Sequence, residues 1–361
     1  MKTVIYGAQG YALGAYRSIK ELLPSCEIIC FLVTKIGMNA SSLCGIPVRE
    51  LGEFASQHSQ SDKDNIQILI ATPENVMDEI EQSLESCGFY NHVRLNSARW
   101  AQMQKNAFVR SKSFTPLEVY PAGSSTARLY VYKAKFYKDK ILQTKMVDPD
   151  YVKPIQVGAV HTDVRVADVI DSEGDNISDK NGNYSELTGL YWIWKHRLKN
   201  GYYGDDCYYG LAHYRRLLDL TDDDLLRLRY NDIDVVLPYP MPYEPNIEEH
   251  HKRYLSNAEW SAVLQALEEL QPEYSTAFKD ILKQAYFYNY NIILAKNEVL
   301  EEYCSWLFPV LFRIEEIVDG SDRVKEPNRY MGYVGETLET LYFMYNKNNL
   351  RIAHTGCRFL V

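Results

Sequence analysis

The sequence predicts an α/β chain of two domains, a short one built from βαβ units and a larger α/β one behind it. Three observations carry this. The chain has 361 residues, more than the roughly 100–200 of one ordinary domain. Short apolar runs alternate with helix-period segments over residues 1–100. A second such series opens at Leu129 and runs to the C-terminus. Between them, residues 99–126 are rich in Ser, Lys and Gln and lack a clear period, so 101–126 reads as a linker and 127–361 as the second domain.

In the first domain, residues 2–6 form an apolar run leading into Gly7-Ala8-Gln9-Gly10, followed by a helix to about Leu23. Residues 27–33 and 66–71 read as further strands and 73–87 as a helix, which makes the domain Rossmann-like with a parallel sheet. In the second domain, strands are expected near 129–133, 155–160, 208–213, 234–237 and 290–295. Helices are expected at 184–199, 257–270, 297–317 and 333–346, with a polar loop over 171–183.

Hydrophobic residues make up 46% and charged residues 24% of the chain, a globular composition that argues against extensive disorder. A net charge of -9 disfavours a general nucleic-acid binder, whose phosphate contacts need a basic face. The first residues pattern as a strand and not as a signal peptide. No run approaches the roughly 18 apolar residues that span a bilayer; the best candidate, 303–312, contains Ser305 and Pro309. Seven cysteines lie scattered, and Cys26 and Cys30 have no second Cys/His pair to complete a zinc site. The expectation is a cytoplasmic protein with reduced thiols, with a peripheral position at the inner face of the membrane left open.

Gly7, Gly10 and Gly14 sit where a strand turns into a helix, a place where backbone N–H groups approach a phosphate. Gly7 and Gly10 are therefore the candidate nucleotide loop, with a packing turn as the alternative. The spacing departs from G-x-G-x-x-G, and the second strand ends Val33-Thr34-Lys35 without the acid that a dinucleotide ribose needs. The segment resembles the small Rossmann-like domain that precedes some bacterial sugar-modifying acyltransferases.

Residues 175–216 are the most informative. Asp175, Asn176, Ser178, Lys180 and Asn181 crowd one loop with short polar groups suited to hydroxyl-rich ligands. Asn183 followed by Glu186 reads as a capping box opening a helix. Tyr184, Leu187, Tyr191, Trp194 and Leu198 recur at helical spacing; they read as core, or, for Tyr191 and Trp194, as faces that stack on sugar. His213-Tyr214-Arg215-Arg216 closes an apolar strand, where open α/β sheets bind ligands. Arg forks there suit phosphate oxygens, a surface salt-bridge patch being the plainer reading.

The order Asn176-Ile177-Ser178-x-Lys180-Asn181, Glu186-Leu187-Thr188-x-x-Tyr191-Trp192-Ile193-Trp194-Lys195 and Gly210-Leu211-x-His213-Tyr214-Arg215-Arg216 resembles a bacterial family of a domain of unknown function assigned to capsular or exopolysaccharide glycosyltransferases. The likeness runs from about Leu129 to the C-terminus. It implies a GT-A-like fold that passes a sugar from a nucleotide diphosphate, a UDP-sugar foremost, to a glycan or lipid-linked saccharide, as a hexosyltransferase. For such a transfer, His213, Arg215, Arg216, Asn176, Lys180, Asn181 and Gly158 are the candidates for the donor side, and Tyr191, Trp194, Gly332 and Gly335 for the acceptor side. The chain departs from the family at Lys133-Ala134-Lys135, where His-Lys is usual, and at Thr337, where the motif has Arg after Gly-Glu.

Two Asp-x-Asp matches exist. Asp148-Pro149-Asp150 precedes a strand, and Asp232-Ile233-Asp234 lies at the amino end of its strand. Both positions suit a metal poorly, so two cations at 213–216 are expected to offset the leaving-group charge; manganese or magnesium stays open. Glu336, after Gly332 and Gly335 near an expected helix start, is the first candidate for a general base and Asp175 the second, a solvated first-turn Glu being the alternative. Two other functions stand beside transfer: a carbohydrate- or nucleotide-binding regulator, and a nicotinamide-dependent sugar oxidoreductase.

Overall fold

The computed structural model describes residues 2–142, 147–198, 207–320 and 328–360. The chain forms two compact units: residues up to Thr115 with Met241–Pro245, and Pro116–Pro240 with Asn246–Leu360.

The first unit carries strands β1 (Lys2–Tyr6), β2 (Ile28–Val33), β3 (Ser42–Leu43), β4 (Ile46–Glu50), β5 (Ile66–Ile70) and β6 (His92–Arg94), with helices α1 (Gly10–Leu22), α2 (Leu51–Ser56), α3 (Gln60–Asp64), α4 (Met77–Ser86) and α5 (Ser97–Ser111). The sheet order is β3-β4-β2-β1-β5-β6, parallel except for the short β3–β4 hairpin. The chain thus winds outward from β1 on one side and returns to β5 on the other, which creates a switch point between β1 and β5.

The expected linker opens as helix, with α5 running to Ser111. Asn96 caps α5 by accepting from the Arg99 N–H at 3.0 Å, and Trp100, Gln104, Ala107 and Phe108 form its buried stripe. Buried Gln104 donates to Ser18 Oγ at 2.7 Å, and Trp100 Nε1 donates to the Tyr11 carbonyl at 3.0 Å. A polar residue in the stripe obscures its period in the sequence. Gly14 serves this packing, because a Cβ there meets the Trp100 ring at 2.7 Å.

The second unit is built on strands β7 (Arg128–Lys135), β8 (Val152–Gln156), β9 (Val169–Ile170), β10 (Cys207–His213), β11 (Arg216–Leu218) and β12 (Val235–Pro238). The two-residue strands β13 (Met241–Pro242, in the first unit) and β14 (Tyr286–Phe287) come next, then β15 (Ile293–Lys296), β16 (Ile352–Thr355) and β17 (Cys357–Phe359). Its main sheet runs β16-β12-β15-β10-β7-β8-β9. Only β15 opposes the others. The carboxyl ends of β7, β8, β10 and β12 therefore share one edge with the amino end of β15.

The helix expected from 184 is divided. Residues Asn181–Tyr184 (α6) end at Ser185, with φ of +51°, and α7 (Leu187–Ile193) continues as a π turn over Trp194–Leu198; its expected end at Lys199 lies outside the described residues. Then come α8 (Asp222–Tyr230), α9 (Ile247–His251), α10 (Asn257–Leu270), α11 (Pro272–Ile281), α12 (Asn297–Asp319) and α13 (Tyr330–Tyr345). Helix α13 starts three residues before the expected position, with Arg329 in left-handed conformation as its cap.

One buried side chain shapes the loops after β8. Asp171 is fully shielded and accepts from the N–H groups of Gly158 at 2.8 Å and Ala159 at 3.1 Å. It also accepts from Ser178 Oγ at 2.5 Å and Thr188 Oγ1 at 2.6 Å. Each buried donor left without its acceptor costs about 1–3 kcal/mol. Asp171→Ala is expected to destabilise the unit by at least about 3 kcal/mol, measured by urea unfolding; a loss below about 1 kcal/mol excludes this anchoring role.

Candidate functional site

The site grows from the end of β10. His213 pairs with Arg216 of β11 across a two-residue turn, which sets three polar side chains at the carboxyl edge of the sheet. His213 Nδ1 accepts from the Arg215 N–H at 3.4 Å, so its proton resides on Nε2. Burial, then Arg216, Arg215 and Arg329, lower its pKa to about 3, which leaves a neutral imidazole among cations. The Arg216 guanidinium lies 3.7 Å from the centre of the Tyr290 ring and 4.8 Å from that of Phe359. Arg215 sits 5.2 Å from the Tyr214 ring. Nε of both arginines is shielded and has no hydrogen-bond partner. Among the described residues, neither forms a salt bridge.

Arg329 is a third cation of this group, held by a 3.1 Å bond from its Nε to Ser185 Oγ. Asp139, in the loop after β7, accepts from the Phe136 N–H at 2.7 Å. Burial raises its pKa against the pull of Arg215, Lys135 and Arg329. Sequence reading passed over Asp139 and gave Arg329 no role of its own, because neither falls in a recognisable spacing.

Beside the cations lies a group of buried carboxyls. Glu336 is in the second turn of α13 and not at its start. Its Oε1 accepts from the Tyr290 N–H at 2.9 Å and its Oε2 from Asn289 Nδ2 at 3.5 Å. Burial and neighbouring Glu186 push its pKa up to about 8. Thr337, in place of the family's Arg, turns its hydroxyl to the Tyr333 carbonyl of its own helix at 3.0 Å. The capping-box reading of Glu186 fails: its side chain makes no cap. It is buried and accepts from Asn291 Nδ2 at 2.8 Å, and burial raises its pKa. Asn291 also donates to the Gly332 carbonyl at 3.1 Å. Glu339, with both oxygens shielded and unbonded, is raised well above the ordinary value by burial and by Glu336.

Other expected contacts serve packing. Gly158, at φ of +62°, allows close approach of Asn181, whose Oδ1 lies 2.7 Å from where a Cβ stands. Asn181 Nδ2 donates to the Ser185 carbonyl at 2.8 Å. Asn176 binds its own loop through the carbonyls of Ser172 and Gly174 and the Ser178 N–H. Lys180 pairs with Glu315 at 2.6 Å. Asp175 accepts from Tyr191 at 2.9 Å and sits near Lys195 at 3.6 Å, with no bond to the carboxyl group around Glu336. Tyr191 and Trp194 are buried; the Trp194 ring stacks on Phe308 of α12 at 5.4 Å, so neither offers an open face to an acceptor. The space beside Gly335 is filled by Leu187 and Asn291, whereas beside Gly332 the nearest atom, Ser185 Oγ, is at an ordinary 3.5 Å.

Both Asp pairs are engaged. Lys133 pairs with Asp148, and Lys296 pairs with Asp232 and, at 2.8 Å, with Asp234 at the edge opposite His213. Among the described residues, no three His, Cys, Asp or Glu side chains converge as a metal site requires. In the first unit, Gly7 has a φ of +122° and a Cβ there meets the Ala71 carbonyl at 2.6 Å; one on Gly10 meets Met241 at 2.9 Å. Both glycines thus have packing reasons.

Residues 139–348, more than half of the chain, match the family described as a domain of unknown function (DUF4422), and the chain belongs to it. Among solved structures, the apo form of WbbM, a bifunctional glycosyltransferase, is similar at 24% identity with a TM-score of 0.54, over 64% of this chain and 45% of that one. The chain therefore spans less than half of that structure's length. This likeness establishes a glycosyltransferase-like α/β fold. No curated protein matches the chain. Among the described residues no helix is long and apolar enough to cross a membrane.

The raised pKa of Glu336 fixes the sign of a pH effect. Between about 4.5 and 8 the folded state keeps a proton that the unfolded state releases. This contribution is complete below the lower value and lost as pH rises through the upper one. Glu336→Gln is expected to flatten the fall of Tm between pH 5 and 8.5; parallel curves for the two proteins exclude a neutral Glu336.

Proposed function

We propose that the second unit transfers a sugar from a nucleotide diphosphate, foremost a UDP-sugar, to a saccharide acceptor in capsular or exopolysaccharide synthesis. The observation that carries this is the group Arg215, Arg216 and Arg329 at the carboxyl edge, without carboxylate ion pairs among the described residues and next to buried carboxyls. The fold shared with a glycosyltransferase and the family membership support it.

In this reading the arginines grip the diphosphate, and their charge stabilises the leaving group as it develops. His213, neutral, donates through Nε2. Glu336 takes the proton of the acceptor hydroxyl, in an inverting step. Gly332 leaves room on the acceptor side. A lipid-linked acceptor places the protein at the inner membrane face as a peripheral enzyme. Asp175, bonded to Tyr191, orders its loop.

Four measurements test this. Arg215→Ala or Arg216→Ala is expected to weaken UDP-sugar binding by about 2–3 kcal/mol, as charged hydrogen bonds are lost; unchanged Kd in both folded variants removes the phosphate assignment. Glu336→Gln keeps an oxygen for the Tyr290 N–H but loses basicity, so kcat should fall by at least about 10²-fold with donor Kd within about threefold. In the wild type, kcat/KM should climb with pH and level off near 8, the value set by Glu336. A variant keeping a tenth of the wild-type rate makes Glu336 a structural group. With cations supplied by Arg side chains, saturating chelator is expected to leave most activity; loss rescued by manganese returns the role to a metal.

A further inference from the structure

A cleft of about 330 Å³ opens in the first unit at the carboxyl ends of β1, β2 and β5. It lies at the switch point of that sheet, where open α/β folds place ligands, and its size falls at the lower end of the range for small-molecule sites. Gly7 lines it and Gly10 does not. The wall comes instead from α4 and the turn before it, through Val76, Glu79, Ile80 and Ser83, whose spacing is that of one helix face. This is the face of α2 and α4, whose apolar residues pack with Tyr6 and Leu32, and not the face of α1.

The chemistry of the lining is mixed in an ordered way. Val33, Val76 and Ile80 give an apolar surface. Lys35 stands at the end of β2, where a ribose-reading acid is absent, and Glu79 supplies a carboxylate from α4. Thr72 Oγ1 is shielded from solvent and has no hydrogen-bond partner. An acid that accepts from a vicinal diol, a cation for phosphate and an apolar wall for a flat base are together the complement of a nucleotide. We infer that this cleft is a second small-molecule site that takes a nucleoside monophosphate or diphosphate, with Glu79 on the ribose hydroxyls, Lys35 on the phosphate and the base against Val33 and Ile80. It is separate from the arginine group of the second unit and stands whether or not that group binds a donor sugar.

The test uses the full chain carrying Arg216→Ala, titrated calorimetrically with AMP, UMP, uridine and glucose 1-phosphate. One saturable site for AMP or UMP is expected, weakened at least tenfold by either Lys35→Ala or Glu79→Gln. Both residues are exposed, so these variants should fold, as their melting curves will check. Weaker binding of uridine than of UMP confirms the phosphate contact. Absence of any site for either nucleotide overturns the inference, as does binding indifferent to both variants. Glucose 1-phosphate binding as tightly as UMP overturns the nucleotide assignment in favour of a sugar phosphate. Loss of transfer activity in the Arg216→Ala chain bears only on the second unit.

Discussion

The arrangement of the second unit depends on a strained corner just before β15. Tyr290 and Asn291 both have left-handed backbone, at φ of +82° and +49°, each costing about 1–3 kcal/mol in a residue other than glycine. Buried carboxyls hold them there: Glu336 accepts the Tyr290 N–H, and Glu186 with the Gly332 carbonyl fixes the Asn291 amide. The corner turns the Tyr290 ring under Arg216, so a backbone distortion in one segment sets the position of a cation on another strand.

Electrostatics then ties the halves of the site together. Three arginines near a neutral histidine form a positive region in a chain whose overall charge is -9. Burial raises both Glu336 and Glu186, Glu186 adds to the rise of Glu336, and Arg216 pulls both down. An anionic ligand bound to the arginines cancels part of that lowering, so occupancy of the cation group favours protonation of Glu336.

The sequence carried β1, β2, β5, β7, β10, β12 and the long helices, because their apolar runs and 3.6-residue periods are local. The strand expected near 155–160 lies earlier, at Val152–Gln156, the one expected near 290–295 starts later, at Ile293, and the short edge strands left no such run. The end of β10 with His213, Arg215 and Arg216 was legible for the same reason: a buried strand followed by charge marks a sheet edge. What failed was non-local. The α5 stripe includes Gln104, whose partner Ser18 is distant in the chain, so a polar letter concealed a core position. Glu186 matched a capping spacing, yet its partner Asn291 comes from the corner before β15. Tyr191 and Trp194 read as core or as sugar-stacking faces, and burial against Phe308 on α12 decides for core. Gly158 and Gly335 were given ligands because glycine marks close approach; the approaching groups are Asn181, Leu187 and Asn291.

The stack of Arg216 on Tyr290 has a consequence for which side chains keep this arrangement. A guanidinium lying on a ring holds its N–H donors in one plane, so they fan out sideways as a fork. Lysine keeps the charge but has neither the plane nor the fork. A lysine at 216 would leave the Tyr290 ring, set in place by a strained backbone, without a flat partner. The geometry thereby calls for the shape of a cation as much as for its charge.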